Sequence, residues 1–150
     1  MSDLNEIKKA LELYFDTNGY YPQSGCGWDC NAYRYSNNSV SWNALASDLS
    51  PYISKLPVDP VNTASCTGPW ITTSECYIYT YGNVGRNGGG ANTANVVQYD
   101  LTARLEDVSN SQICGIKNWK WYFNNQSWCV AFGGPFNNQI YEASISYFQI

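Results

Sequence analysis

Six cysteines are the side chains of this sequence best suited to chemistry, and the absence of histidine decides which chemistry is open to them. Without an imidazole there is no Ser-His or Cys-His pair, so nucleophilic catalysis of that kind is excluded. Taken as neighbours, Cys26–Cys30, Cys66–Cys76 and Cys114–Cys129 enclose three, nine and fourteen residues. None of these is a C-x-x-C knuckle, and no histidine can complete a zinc ligand set. Disulfides formed in an oxidising compartment are the better reading. Nearest-neighbour pairing is the expectation, although six cysteines leave other pairings open. In the loop-entropy picture the three bonds stabilise increasingly in chain order, because the loops they close lengthen in that order.

The other candidates are weaker. Asp100, Glu106, Asp107 and Glu142 could supply a general acid/base pair. They fall at strand edges or ends with no sign of a shared pocket, so the chain is read as not an enzyme. Gly88-Gly89-Gly90 lacks the following helix and Lys-Ser/Thr pair of a phosphate loop, and reads as a hairpin loop. Lys117, Trp119, Lys120 and Trp121 could stack on bases or sugars, but a strand with one ring-lined face explains them more simply. Asn37-Asn38-Ser39 and Asn125-Gln126-Ser127 have the form of glycosylation acceptors, a pattern common enough that ordinary polar turns are preferred. A net charge of −4 gives no support for nucleic-acid binding. No cofactor is implied.

The elements that must position these residues begin with a helix from Asp3 and a hard stop before Pro22. Leu4, Ile7, Leu11 and Tyr14 recur at helical steps, with Ala10 and Phe15 beside them, and form one apolar stripe. Glu6, Lys8, Lys9 and Glu12 are left mainly to the rest of the surface, where Lys8 and Glu12 can pair for roughly 0.2–0.5 kcal/mol. Asp16, Thr17, Asn18 and Gly19 end the helix, glycine entering a left-handed turn without steric cost. Pro22 then holds Tyr21 in an extended path.

Gln23 to Val40 reads as loop, with Trp28 laid on the surface between Cys26 and Cys30. Ser41 is the expected N-cap of a second helix carrying Trp42, Leu45 and Leu49 and closed by Ser50-Pro51. Leu56-Pro57-Val58-Asp59-Pro60 is a rigid segment in which Asp59 fixes a turn by accepting from nearby amides. Tyr77 to Tyr81 alternates as a strand, and Val97 to Leu105 as a longer, half-buried one. Trp119–Phe123 and Ser127–Phe132 read as a hairpin, and 140–150 as a final strand. The 150 residues suit one domain, 1–150, burying about 68–70% of its unfolded surface. With 13 Tyr and 6 Trp, large rings supply much of its apolar material. The fold class is α+β: an N-terminal amphipathic helix packed on an antiparallel sheet, with a second short helix and disulfide-pinned loops.

Three stretches resemble the type IV pilin and type II secretion pseudopilin family. Asp3-Leu4-Asn5-Glu6-Ile7-Lys8-Lys9-Ala10-Leu11-Glu12-Leu13-Tyr14-Phe15, then Asn18-Gly19-Tyr20-Tyr21-Pro22, is similar to the place where that family's long first helix enters the globular head. Trp42 to Pro60 is similar to the family's link between helix and sheet, and Tyr99 to Glu106 to its central strand. The resemblance implies a pilin-like head truncated at its N-terminus, with a leader peptide and hydrophobic anchor ahead of Ser2. It implies that Leu4, Ile7, Leu11 and Tyr14 face the sheet, that the partners are copies of itself or related pilins, and that the missing helix meets the membrane. An extracellular pilus or cell surface is the implied location. Major pseudopilins carry a calcium loop, but its acidic residues are missing here: residues 61–90 contain only Glu75. Asp59 is therefore read as a turn residue, not a calcium ligand. The alternative is a secreted module gripping glycan or a host surface with Trp28, Trp70, Trp119, Trp121 and Trp128.

Overall fold

The computed structural model describes residues 2–24, 33–66, 77–82, 99–104 and 140–142. Helix α1 spans Ser2–Asn18, strand β1 Tyr33–Tyr35, helix α2 Ser39–Leu49, and strands β2, β3 and β4 Tyr79–Gly82, Asp100–Arg104 and Ile140–Glu142. The sheet runs in the order β1-β2-β3-β4, with every neighbouring pair antiparallel. The architecture is α+β: two helices and an antiparallel sheet around a shared core.

α1 stops where its sequence says it should. Gly19 adopts a φ of 76°, and its N–H donates to Phe15 O at 2.7 Å, the single bond of a left-handed helix cap. The stripe of α1 is sealed: Leu4, Ile7, Ala10 and Leu11 are buried and share one core with Trp42, Leu45 and Leu49 of α2. Tyr79, Tyr81, Leu101 and Ala103 complete that core from the sheet, with Tyr14 and Phe15 packed at its edge. Register explains the choice. Tyr79 lies opposite Ala103 and Tyr81 opposite Leu101, so all four sit on one face.

Two expectations need correction. The segment 23–40 is not all loop, because Tyr33–Tyr35 pairs with β2 as a strand. Three residues are too few for alternation to be recognised, yet tyrosines flanking Arg34 suit a sheet edge. The second helix starts earlier than Ser41. Asn38 caps it, its Oδ1 accepting from Ser41 N at 3.1 Å. Ser41 Oγ instead accepts from Tyr35 N at 3.2 Å. An asparagine followed by two further residues tolerant of the first turn places the cap as well as serine does.

After α2, Trp42 Nε1 donates to Pro57 O at 3.0 Å and fastens the proline segment to the helix. Among the described residues, no helix is long and apolar enough to cross a membrane. The hairpin read at 119–132, both Asn125 and Trp28, and the triple glycine lie outside the described residues.

Candidate functional site

The junction of α1 with the sheet is built from tyrosines that donate to carboxylates. Tyr79 Oη donates to Asp3 Oδ2 at 3.1 Å, and Tyr99 Oη to Glu12 Oε1 at 3.0 Å. Glu12 Oε2 accepts from Tyr21 Oη at 3.1 Å. Tyr81 Oη donates to Pro22 O at 2.6 Å, tying the sheet to the strap that follows α1. The rings support one another: Tyr21 meets Tyr99 edge-on at 4.6 Å and stacks on Phe15 at 4.7 Å.

At about 100° per residue, Asp3 and Glu12 fall on opposite flanks of the apolar stripe. The stripe alone sets the roll of α1 only coarsely, since burial is non-directional. Hydrogen bonds to charged acceptors on both flanks are directional and strong. Rolling the helix either way breaks one of them.

Lys8 and Glu12 do not pair, contrary to expectation. Both Glu12 oxygens are occupied by tyrosine hydroxyls, and the ion pair found among the described residues joins Arg34 Nη1 to Asp48 Oδ2 at 3.1 Å. An exposed lysine pair contributes a few tenths of a kcal/mol, roughly, whereas two buried hydroxyls left without an acceptor would cost about 1–3 kcal/mol each. The inward geometry wins.

Burial pushes the Tyr99 phenol well above its ordinary value, and the Glu12 charge and hydrogen bond push it further. Tyr79 is raised in the same way by burial and then by Asp3. Burial also raises Tyr81, against a smaller opposing pull from Arg34. These phenols stay protonated and act as donors. Protonated phenols and a carboxylate holding two of them offer neither a nucleophile nor a free base. The junction is a hydrogen-bonded clasp between α1 and the sheet.

A second polar assembly sits at the turn between β1 and α2. Asn37 Nδ2 donates to Thr63 O at 2.9 Å and to Cys66 O at 2.7 Å. Asp59, buried, accepts at Oδ1 from Val61 N (2.9 Å) and Asn62 N (3.1 Å), which fixes the turn read from its sequence. Asn62 takes a φ of 46° there, a conformation asparagine tolerates. Ser36 and Asn62 exchange two further bonds, at 2.6 and 3.2 Å. Asn37 carries the first glycosylation-form tripeptide, and the nitrogen a glycan would take is the one bonded to both carbonyls.

The other residues singled out in the sequence fall as follows. Leu4, Ile7 and Leu11 are buried in the shared core and Tyr14 packs at its edge. Tyr14 meets Tyr20 and Tyr52 edge-on at 6.0 and 6.2 Å. Cys66 is disulfide-bonded. Cys26, Cys30, Cys76, Cys114 and Cys129 lie outside the described residues, as do Glu106, Asp107, Lys117 and the tryptophans of the binding-module alternative. Asp100 and Glu142 occupy β3 and β4, which are adjacent. Among the described residues no group of three His, Cys, Asp or Glu side chains could hold a metal ion. Sequence reasoning missed Glu12, Tyr21, Tyr99 and Asn37 as structural residues. The signal for Glu12 was its place on the border of the stripe.

No protein family, curated protein or solved structure matches the chain.

Proposed function

We propose that this chain is the globular head of a filament subunit of the type IV pilin class, and not an enzyme. The observation that carries the reading is the clasp: an N-terminal helix held in one roll and one register on an antiparallel sheet by its stripe and by Asp3 and Glu12. In this reading an apolar helix continuous with α1 packs in the filament centre, and the head forms the outer shell. Leu13, 48% exposed on the far side of α1, leaves an apolar contact open to a neighbouring subunit. An extracellular pilus is favoured over a short secretion pseudopilus. The six cysteines suit a subunit exposed to force and proteases, and Asp59 is occupied by amides rather than free for calcium.

Filaments sheared from producing cells test the proposal. Antibodies against the head should label them along their length in electron micrographs, and labelling should vanish when the gene is deleted. Recovery of the protein only as free monomer in the medium would sink the reading. The gene supplies a second check: a leader ending in glycine, then Phe and about 20 apolar residues broken by one Glu. The binding-module alternative gains nothing from the one tryptophan described, since Trp42 is buried and bonded to Pro57 O. Saturable binding on a glycan array by the isolated chain would revive it.

A further inference from the structure

Asn18 and Gly19, where α1 ends, form a dipeptide with chemistry of its own. The main-chain nitrogen after an asparagine can attack the side-chain amide carbon, and a glycine there has no Cβ to hinder the approach. Nothing crowds the pair from outside. Asn18 and Gly19 are exposed, and the space on the side a Gly19 Cβ would occupy is open. Water can therefore reach the reacting atoms. What stands in the way is the cap itself. Gly19 N–H donates to Phe15 O at 2.7 Å, so the attacking nitrogen must give up that bond before it can lose its proton. Asn18 Nδ2 donates to Tyr14 O at 2.8 Å, which draws the side chain back toward the preceding turn and away from the nitrogen that follows. The two reactants are neighbours in sequence, held apart by separate hydrogen bonds.

We propose that Asn18 is a self-modification site, deamidating through a cyclic imide, and that the α1 cap holds the reaction off until the end of the helix opens. Gly19 N loses its proton and bonds to Asn18 Cγ as the Cγ–Nδ2 bond breaks, and Nδ2 leaves as ammonia. The five-membered imide then takes up one water. Opening at Cγ gives aspartate, and opening at the main-chain carbonyl gives isoaspartate, whose backbone runs through the side-chain carbon. Neither product can restore the cap. Both carry a new carboxylate, which has no proton to donate to Tyr14 O and lies at the negative end of the helix dipole. Isoaspartate also lengthens the chain ahead of Gly19, so that its N–H no longer falls on Phe15 O. A transient opening of α1 is thereby made permanent. The inference stands apart from the filament reading, because the reaction involves one chain and no assembly.

Peptide mapping of the full chain in mildly alkaline buffer tests it, with the mass gain assigned to Asn18 by fragmentation. Samples are held in buffer alone, or in denaturing urea with a thiol. In urea Asn18 should convert readily, with the chain's other Asn-Gly pair, Asn87-Gly88, as the reference for an unfolded chain. In buffer it should convert at least about tenfold more slowly, two hydrogen bonds having to break first. Phe15→Gly removes the ring stacked on Tyr21 and weakens the last turn. It should speed conversion in buffer about fivefold and leave the rate in urea unchanged. Should that variant not fold, Tyr21→Phe removes only the donor to Glu12 from the strap, with an expected rise of about twofold. Asn18→Gln, whose larger ring closes far more slowly, should abolish the mass gain at this position. Equal rates for Asn18 in buffer and urea overturn the protection, and so does a rate in buffer that the folded variant leaves unmoved. An Asn18 that stays intact in urea while Asn87 converts removes the site.

Discussion

The clasp and the seat that Ser36, Asn37 and Asn62 form around Asp59–Cys66 are both polar, but they are made differently. The clasp joins residues 76 and 87 positions apart through tyrosine hydroxyls on carboxylates. The seat joins residues 26 and 29 positions apart through small amides and hydroxyls, largely on backbone groups. Rings bring apolar area with the polar tip, so each clasp contact also fills the core. Amides bring little area and serve to satisfy backbone groups that a winding segment would otherwise bury unpaired. The difference teaches that long-range attachment here relies on tyrosine hydroxyls, which ionise in alkali, while the local scaffold relies on amides, aliphatic hydroxyls and the Asp59 carboxylate, which gain no new charge there.

Alkali should separate them most sharply. Burial pushes the Tyr14 and Tyr35 phenols up to about 12, and it raises Tyr79, Tyr81 and Tyr99 as well. Folded values lie above the ordinary value of 10.0, so this stability is fully present below pH 10.0 and is lost as pH climbs through about 12. Urea midpoints followed from pH 8 upward should hold level and then collapse, with buried phenolate absorbance appearing together with unfolding. Smooth ionisation of every tyrosine in a folded chain would break the comparison.

Next in size is Leu11→Ala, which empties a fully buried position of the stripe and should cost about 3 kcal/mol in urea unfolding. A cost near that of a surface change would mean α1 is not sealed. Smaller again is the double-mutant cycle of Glu12→Gln with Tyr99→Phe. Each single change should cost about 1.5–3 kcal/mol, with a coupling of about 1 kcal/mol between them. Additive losses would show the two groups acting separately. The seat gives the smallest effect. Ser36→Ala strands Tyr79 N, which now donates to Ser36 Oγ at 2.9 Å, and should cost about 1 kcal/mol. That cost should be the same at pH 7 and pH 9, and a marked pH dependence would contradict the division drawn between the two regions.

Much of this was legible before any coordinates. The stripe of Leu4, Ile7 and Leu11, the stop at Gly19, the turn at Asp59 and the alternation around Tyr79 and Leu101 are local patterns, each with one physical cause. Glu12 was not legible, because a glutamate beside a lysine four residues away reads as surface until a distant strand arrives with hydroxyls. Asn38 was hidden for a different reason: a row of asparagines and serines offers several equivalent caps, and only the strand pairing of Tyr35 selects among them. β1 was too short for its period to show.

The two carboxylates on α1 lie roughly 13 Å apart along its axis, at about 1.5 Å per residue. Tension directed down that axis loads both tyrosine anchors at once, in shear, so neither can yield alone. A sideways tug at one end would peel them in sequence. The attachment therefore has a strong direction, along the axis of α1, and a weak one across it.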